Sequence, residues 1–185
     1  YNSWKYPAIE IRPAQGLITE QIKGCDPLYL VDTDENLFRD VKTKWHATYQ
    51  RRLRYYTVDE KNKSPMEGFP DNQFGLIVSF DYFNYKPMQV IENFLNDFFH
   101  KLRPGGVVIF TYNNCDLPYG ARNVEKRFCA FTPEHHITRI AKEIGFDIAN
   151  TFNELENISW LELKKPGKIT TIRGGQTLGE IRSFN

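Results

Sequence analysis

Residues 6–32, YPAIEIRPAQGLITEQIKGCDPLYLVD, decide the fold. A short apolar run ends in Glu10, a turn closes at Gly16, and a second apolar run, Leu28 to Val31, ends in Asp32. Between them GLITEQIKG, residues 16–24, places Leu17, Ile18 and Ile22 at helix-compatible spacing between two glycines. The pattern is strand, tight turn, helix, strand: the opening unit of a doubly wound α/β sheet, whose ligands bind at the carboxyl ends of the strands. Two acids at two strand ends with a glycine turn between them suit an adenosine-containing ligand.

Working outward, helix and strand patterns alternate. Residues 34–54 repeat Leu37, Phe38, Val41, Trp45 and Tyr49 at three- and four-residue steps, which predicts one helix. Residues 55–58 predict a third strand ending at Asp59, followed by a polar loop with Pro65 and Gly68. FGLIVSF, residues 74–80, is nearly continuous in apolar character, as in a parallel strand buried on both faces. After Pro87, the stripe Val90, Ile91, Phe94, Leu95, Phe98, Phe99 and Leu102 predicts the clearest helix, ended by Pro104-Gly105-Gly106. Residues 107–110 form another buried strand. Thr132-Pro133-Glu134 reads as a hydroxyl cap, a proline and an acid at a helix start, with Gly145 as its stop. Residues 146–149 and 159–163 supply two last strands, the final one antiparallel.

The fold class is therefore an α/β sandwich with a mostly parallel sheet. At 185 residues it makes one domain, residues 1–165, with residues 166–185 as an appended loop or docking tail for a protein partner. The first residue is Tyr and a strand follows almost at once, so the chain reads as a piece of a longer protein whose preceding residues hold a helix over the sheet. With 24 basic and 23 acidic residues, global charge does not indicate nucleic acid. The local run Arg51-Arg52-Leu53-Arg54 reads as a solvated face. No apolar run approaches the roughly 18 residues that span a bilayer, so no membrane partner is expected. Cys25, Cys115 and Cys129 lack CxxC spacing and read as free thiols in a reducing, cytoplasmic compartment. No spacing makes a metal site, a lone His46 beside Trp45 included, and His135 and His136 read as exposed residues near a helix start.

With these elements placed, residues 7–165 resemble the class I S-adenosylmethionine-dependent methyltransferases. Glu10 and Asp32 match the acids after the family's first two strands. FPDNQFGLIVSF, HKLRPGGVVIFTYNN, FTPEHHITRIAKEIGFDI and WLELKKPGK are similar, in the family's order, to its later motifs. The resemblance implies S-adenosyl-L-methionine as cofactor, bound by Glu10, Arg12, Ala14, Gly16, Asp32, Thr33, Asp59 and Phe80. It implies methyl transfer to an unidentified acceptor, with Asp81 removing a proton and Tyr82 and Asn84 orienting the substrate beside Tyr85. Tyr112, Asn113 and Asn114 follow the fifth strand on the same edge.

Plain alternatives stand beside each role: Asp32 as a helix cap, Glu10 satisfied by turn amides, Asp59 as a loop acid, the aromatic loop as structure alone. Two departures bear on function. The family's three glycine positions read Arg12, Ala14 and Gly16, with Pro13 expected to hold Arg12 extended. Gly75 stands where the family's fourth motif carries an acid. These support a second reading, a structural or binding module that keeps the fold without the chemistry. The tail is similar to segments following methyltransferase-like domains in phage-encoded proteins, which makes a virion part the alternative setting.

Overall fold

The run FGLIVS becomes the middle of a seven-stranded sheet because every one of its residues is buried. The structure, a computed structural model, describes residues 1–154 and 158–168. In chain order the elements are β1 (Ala8–Ile11), α1 (Leu17–Gln21), β2 (Leu28–Asp32), α2 (Arg39–Lys44), α3 (Ala47–Gln50), β3 (Leu53–Thr57), β4 (Phe74–Ser79), α4 (Met88–Lys101), β5 (Leu102–Tyr112), α5 (Pro118–Glu125), α6 (Glu134–Ile144), β6 (Asp147–Glu154) and β7 (Ile158–Lys164). Sheet order is β3-β2-β1-β4-β5-β7-β6. All neighbours are parallel except β7, which runs antiparallel to both β5 and β6. Strand order reverses between β1 and β4, so a crevice opens where their carboxyl ends diverge.

Side-chain alternation divides the core. Ile9, Ile11 and Ile77 point to the face covered by α4 and α6, where they join Phe94, Phe98, Phe110 and Ile137. Ala8, Leu76 and Val78 point to the other face, against Leu28, Leu30, Phe38 and Val41. Glu10 shares that second face with Ala8, which sends its carboxylate under α1.

Several expected elements take different forms. The single helix over residues 34–54 is instead a short 3-10 turn (Glu35–Phe38), α2 and α3. A straight helix of that span would be about 30 Å long, whereas the path back along a five-residue strand is only about 17 Å. The break falls at Trp45 and His46, both extended, and the Gln50 amide bonds the carbonyls of Lys42 (2.5 Å) and Trp45 (3.0 Å). β3 accordingly begins at Leu53, two residues early, and ends at Thr57.

Pro104-Gly105-Gly106 does not close α4. That helix passes directly into β5, and residues 103–106 form a bulge between the pairs Phe74↔Leu102 and Leu76↔Val107. Thr132 does not cap α6: its hydroxyl is buried without a partner. The Glu134 amide instead donates to Asp116 Oδ2 (2.9 Å), a cap from 18 residues upstream. Gly145, at φ 116°, ends α6 as expected. The three thiols are free. The tail reading falls outside the described residues beyond Lys168.

Candidate functional site

The loop after β1 supplies the floor of the crevice. Arg12 (φ 59°), Ala14 (φ 46°) and Gly16 (φ 74°) all have left-handed backbones. Arg12 is therefore not extended, despite the following proline. The loop keeps the shape that glycine would favour at these three positions, with side chains at two of them. Each such residue costs about 1–2 kcal/mol, which the surroundings must offset. The offsetting bonds are visible. Arg12 N donates to Val31 O (2.8 Å), Gly16 N to Pro13 O (2.7 Å), and Lys44 Nζ reaches from α2 to the carbonyls of Gln15 (3.3 Å) and Gly16 (3.1 Å).

Glu10 lies beneath that loop, 2% exposed. Thr19 Oγ1 donates to its Oε2 at 2.6 Å. Burial pushes the carboxyl up to about 7, against the opposing pull of the Thr19 bonds and the Lys44 charge. Glu10 thus ties α1 to β1 and does not reach the open crevice.

Asp32 differs in one atom. It is 3% exposed, and its Oδ1 accepts the Thr33 amide at 2.8 Å. Its Oδ2 is buried with no partner. Burial raises its pKa, while the Thr33 amide and the Arg12 guanidinium draw it back down. The helix-cap alternative fails, because the turn at residues 35–38 is capped by Asp34, whose Oδ1 accepts Asn36 N. Asp32 lines a cavity of about 260 Å³ with Arg12, Ala14, Gln15, Asn36 and Leu37. A second cavity of about 440 Å³ is lined by Thr33, Thr57, Val58, Asp59, Glu60 and Lys61. The two flank the Asp32–Thr33 corner. Asp59 sits exposed at the rim, its Oδ1 accepting Lys61 N.

The opposite wall is the loop after β4. Asp81 is left-handed (φ 53°) and its amide donates to Thr111 Oγ1 (2.7 Å), while Thr111 donates to Asn84 Oδ1 (2.8 Å). Asp81 Oδ1 accepts the Tyr85 hydroxyl (2.8 Å), and its carbonyl accepts Arg12 Nη1 (3.0 Å). The Arg12 guanidinium also lies 5.9 Å from the Tyr85 ring centre. It neither fills the cavity nor turns away; it bridges the two walls at the rim.

Tyr82 and Asn84, expected to orient the substrate, are engaged by the protein itself. Both are buried, Tyr82 donating to Glu60 Oε2 (2.6 Å) and Asn84 holding Thr111 and the Ala130 amide (2.8 Å). Phe80 stacks on Trp160 at 5.6 Å, against β7 rather than over the cavity. Tyr112, Asn113 and Asn114 are likewise buried: Asn114 and Tyr112 bond Glu134, and Asn113 bonds the carbonyls of Gly120 and Ala130. Three cavity or wall residues were not singled out in the sequence: Asn36, Lys44 and Glu60. Only Glu60, adjacent to Asp59 after a strand, carried a local signal. Among the described residues, no cluster of His, Cys, Asp and Glu could hold a metal ion, and no helix is long and apolar enough to cross a membrane.

No protein-family model matches the chain, and no curated protein sequence matches it. Solved structures do. A chain in the complex between the Haloferax volcanii Trm112 methyltransferase activator and a methyltransferase superposes with TM-score 0.73 at 10% identity, over 90% of this chain and 85% of that one. An S-adenosylmethionine-dependent methyltransferase from Mesorhizobium loti gives 0.72 at 10% identity, over 89% and 93%. Haemonchus contortus phosphoethanolamine N-methyltransferase 2, in complex with S-adenosyl-L-methionine, gives 0.68 at 17% identity, and this chain spans about half its length (88% and 49%). The strand order, the antiparallel β7 and these superpositions together show that the chain has the class I S-adenosylmethionine-dependent methyltransferase fold.

Proposed function

We propose that the protein binds S-adenosyl-L-methionine at the Asp32 corner and transfers its methyl group to an acceptor approaching over Asp81. The observation that carries this reading is Asp32 Oδ2, a buried carboxylate oxygen with no partner beside a cavity. A buried charged acceptor left unpaired costs several kcal/mol, and two ribose hydroxyls are the donors that would relieve it. The residues present fit the group. Asp32 would take the ribose, Thr33, Val58 and Asp59 the adenine edge, and Arg12 with the residue 12–16 loop the amino-acid end.

When bound, S-adenosylmethionine would supply an electrophilic methyl carbon on a sulfonium: the acceptor's nucleophile would bond to that carbon in line as the carbon–sulfur bond breaks, and S-adenosylhomocysteine would leave as a neutral thioether. The chain's own part is positioning and proton removal. Asp81 is the proton acceptor: its carboxylate stands at the crevice rim, oriented by the Tyr85 hydroxyl. Thr111 and Asn84 fix the left-handed turn that presents it. Arg12 spans the rim of the crevice, its Nη1 donating to the Asp81 carbonyl.

Titration calorimetry with S-adenosylhomocysteine tests the reading. One molecule is expected to bind, and Asp32→Asn is expected to weaken it by roughly 10- to 100-fold, the loss of charge-assisted bonds worth about 1.5–3 kcal/mol. No heat at millimolar ligand, with the fold intact by circular dichroism, would leave the module without chemistry as the reading. The Arg12 bridge would then serve to seal the crevice.

A further inference from the structure

Past Asp81, the acceptor side of the crevice is bordered by α5 and the segment that follows it. Tyr119, Arg122 and Lys126 are spaced i, i+3, i+7, share one helix face and are all exposed. Arg127 is left-handed (φ 58°) and reverses the chain, with the Phe128 and Cys129 amides both donating to Asn123 O (2.9 and 3.3 Å). Ala130 N then donates to Asn84 O (2.8 Å), and Asn113 Nδ2 donates to the carbonyls of Gly120 (3.2 Å) and Ala130 (3.0 Å). The same Asn84 fixes Thr111 and, through it, the Asp81 turn. The segment is thereby pinned to the carboxyl ends of β4 and β5.

What it presents is unusual for a solvated edge. Phe128 is 67% exposed and Phe131 64%, two large rings held in water by an ordered backbone. Beside them Arg122, Lys126 and Arg127 make no ion pair among the described residues, and Glu125 is the single acid between Pro118 and Phe131. At the crevice itself Tyr85, 46% exposed, adds a further ring, its hydroxyl bonded to Asp81. Unpaired cations interleaved with exposed rings form the surface that single-stranded nucleic acids use, phosphates on the charges and bases stacked on the rings. A duplex keeps its bases inside the stack, and a small acceptor would require enclosure that these rings do not give.

We propose that this platform binds single-stranded nucleic acid and delivers one of its nucleotides to the crevice as methyl acceptor. The delivery rests on the cofactor reading above; the binding does not. The near-neutral net charge of the chain hides this surface, because between Pro118 and Phe131 three cations stand against the single acid Glu125.

Fluorescence anisotropy with labelled oligonucleotides of about a dozen nucleotides, within the footprint of known single-strand sites, tests it. Binding is expected to weaken as salt rises from about 50 to about 200 mM, and the triple change Arg122→Gln, Lys126→Gln, Arg127→Gln is expected to reduce the log–log salt slope by about 2. Phe128→Ala and Phe131→Ala are each expected to weaken binding about tenfold and leave the slope unchanged. S-adenosylhomocysteine affinity should be the same in all these variants. No binding at low salt overturns the proposal. So does equal binding to polyglutamate or to anionic phosphatidylserine vesicles, or a salt slope untouched by the triple change. If wild type binds the oligonucleotide but not S-adenosylhomocysteine, the platform stands and the cofactor reading falls.

Discussion

Glu10 and Arg12 show how much a residue's meaning depends on what lies over it. Glu10 is legible in the sequence as an acid at a strand end, but its burial and its bond to Thr19 come from α1 folding back on β1. Its carboxyl titrates at about 7, up from 4.5. A carboxyl raised on folding contributes most below pH 4.5, and that contribution is lost as the pH rises through 7. Glu10→Gln removes the titration. Urea unfolding should therefore show the variant gaining on wild type from acid to alkaline pH, by up to roughly 3 kcal/mol. A difference that stays constant with pH would show that Glu10 is solvated. Arg12 and Ala14 read from sequence as damage to a glycine turn. In three dimensions both adopt the left-handed backbone, because Lys44 and the Arg12 bonds to Val31 and Asp81 hold the loop in place.

Among the elements, the long apolar stripes translated directly. α4, α6, β4 and β7 lie where periodicity puts them, within a few residues, while β6 starts as expected but runs on to Glu154, five residues past its expected end. Failures cluster where an element's end is set by a distant partner. The helix expected over residues 34–54 breaks to return along the sheet, and the start of α6 is capped by Asp116 rather than Thr132. Asp116→Ala should cost about 1 kcal/mol, the usual worth of a cap, when unfolding is followed by urea titration. Thr132→Val removes a hydroxyl that bonds nothing and should cost none. Equal losses in the two variants would return the cap to Thr132. Gly75 belongs to the same class. A Cβ there would stand 2.7 Å from Cβ of Tyr6, so the acid that the sequence resemblance would place there has no room under this N-terminal segment.

For the molecule as a whole, the crevice belongs to four strand ends at once: β1 supplies the loop, β2 Asp32, β3 the Asp59 rim and β4 Asp81. Ligand binding there should stabilise the entire domain. At about 100 times its dissociation constant, S-adenosylhomocysteine adds about 2.7 kcal/mol, which for a chain this size raises Tm by roughly 5–10 °C in scanning calorimetry. Asp32→Asn at the same ligand concentration should lose most of that shift while unfolding normally without ligand. A wild-type Tm indifferent to ligand would place the crevice out of use.

Taken alone, the sequence determined the class of fold, the sheet's buried strands, and the two acids that head β1 and β2. Periodicity and strand-end position are local properties, and a chain carries them in full. Only the tertiary structure decided which of those acids is left unpaired, that Tyr82 and Asn84 turn inward, and that the substituted glycine loop keeps its shape. It also decided that Phe128 and Phe131 face water in a segment whose cations make no ion pair among the described residues. Each depends on contacts between residues far apart in the chain, where burial and hydrogen-bond partners, rather than residue type, set what a side chain can do.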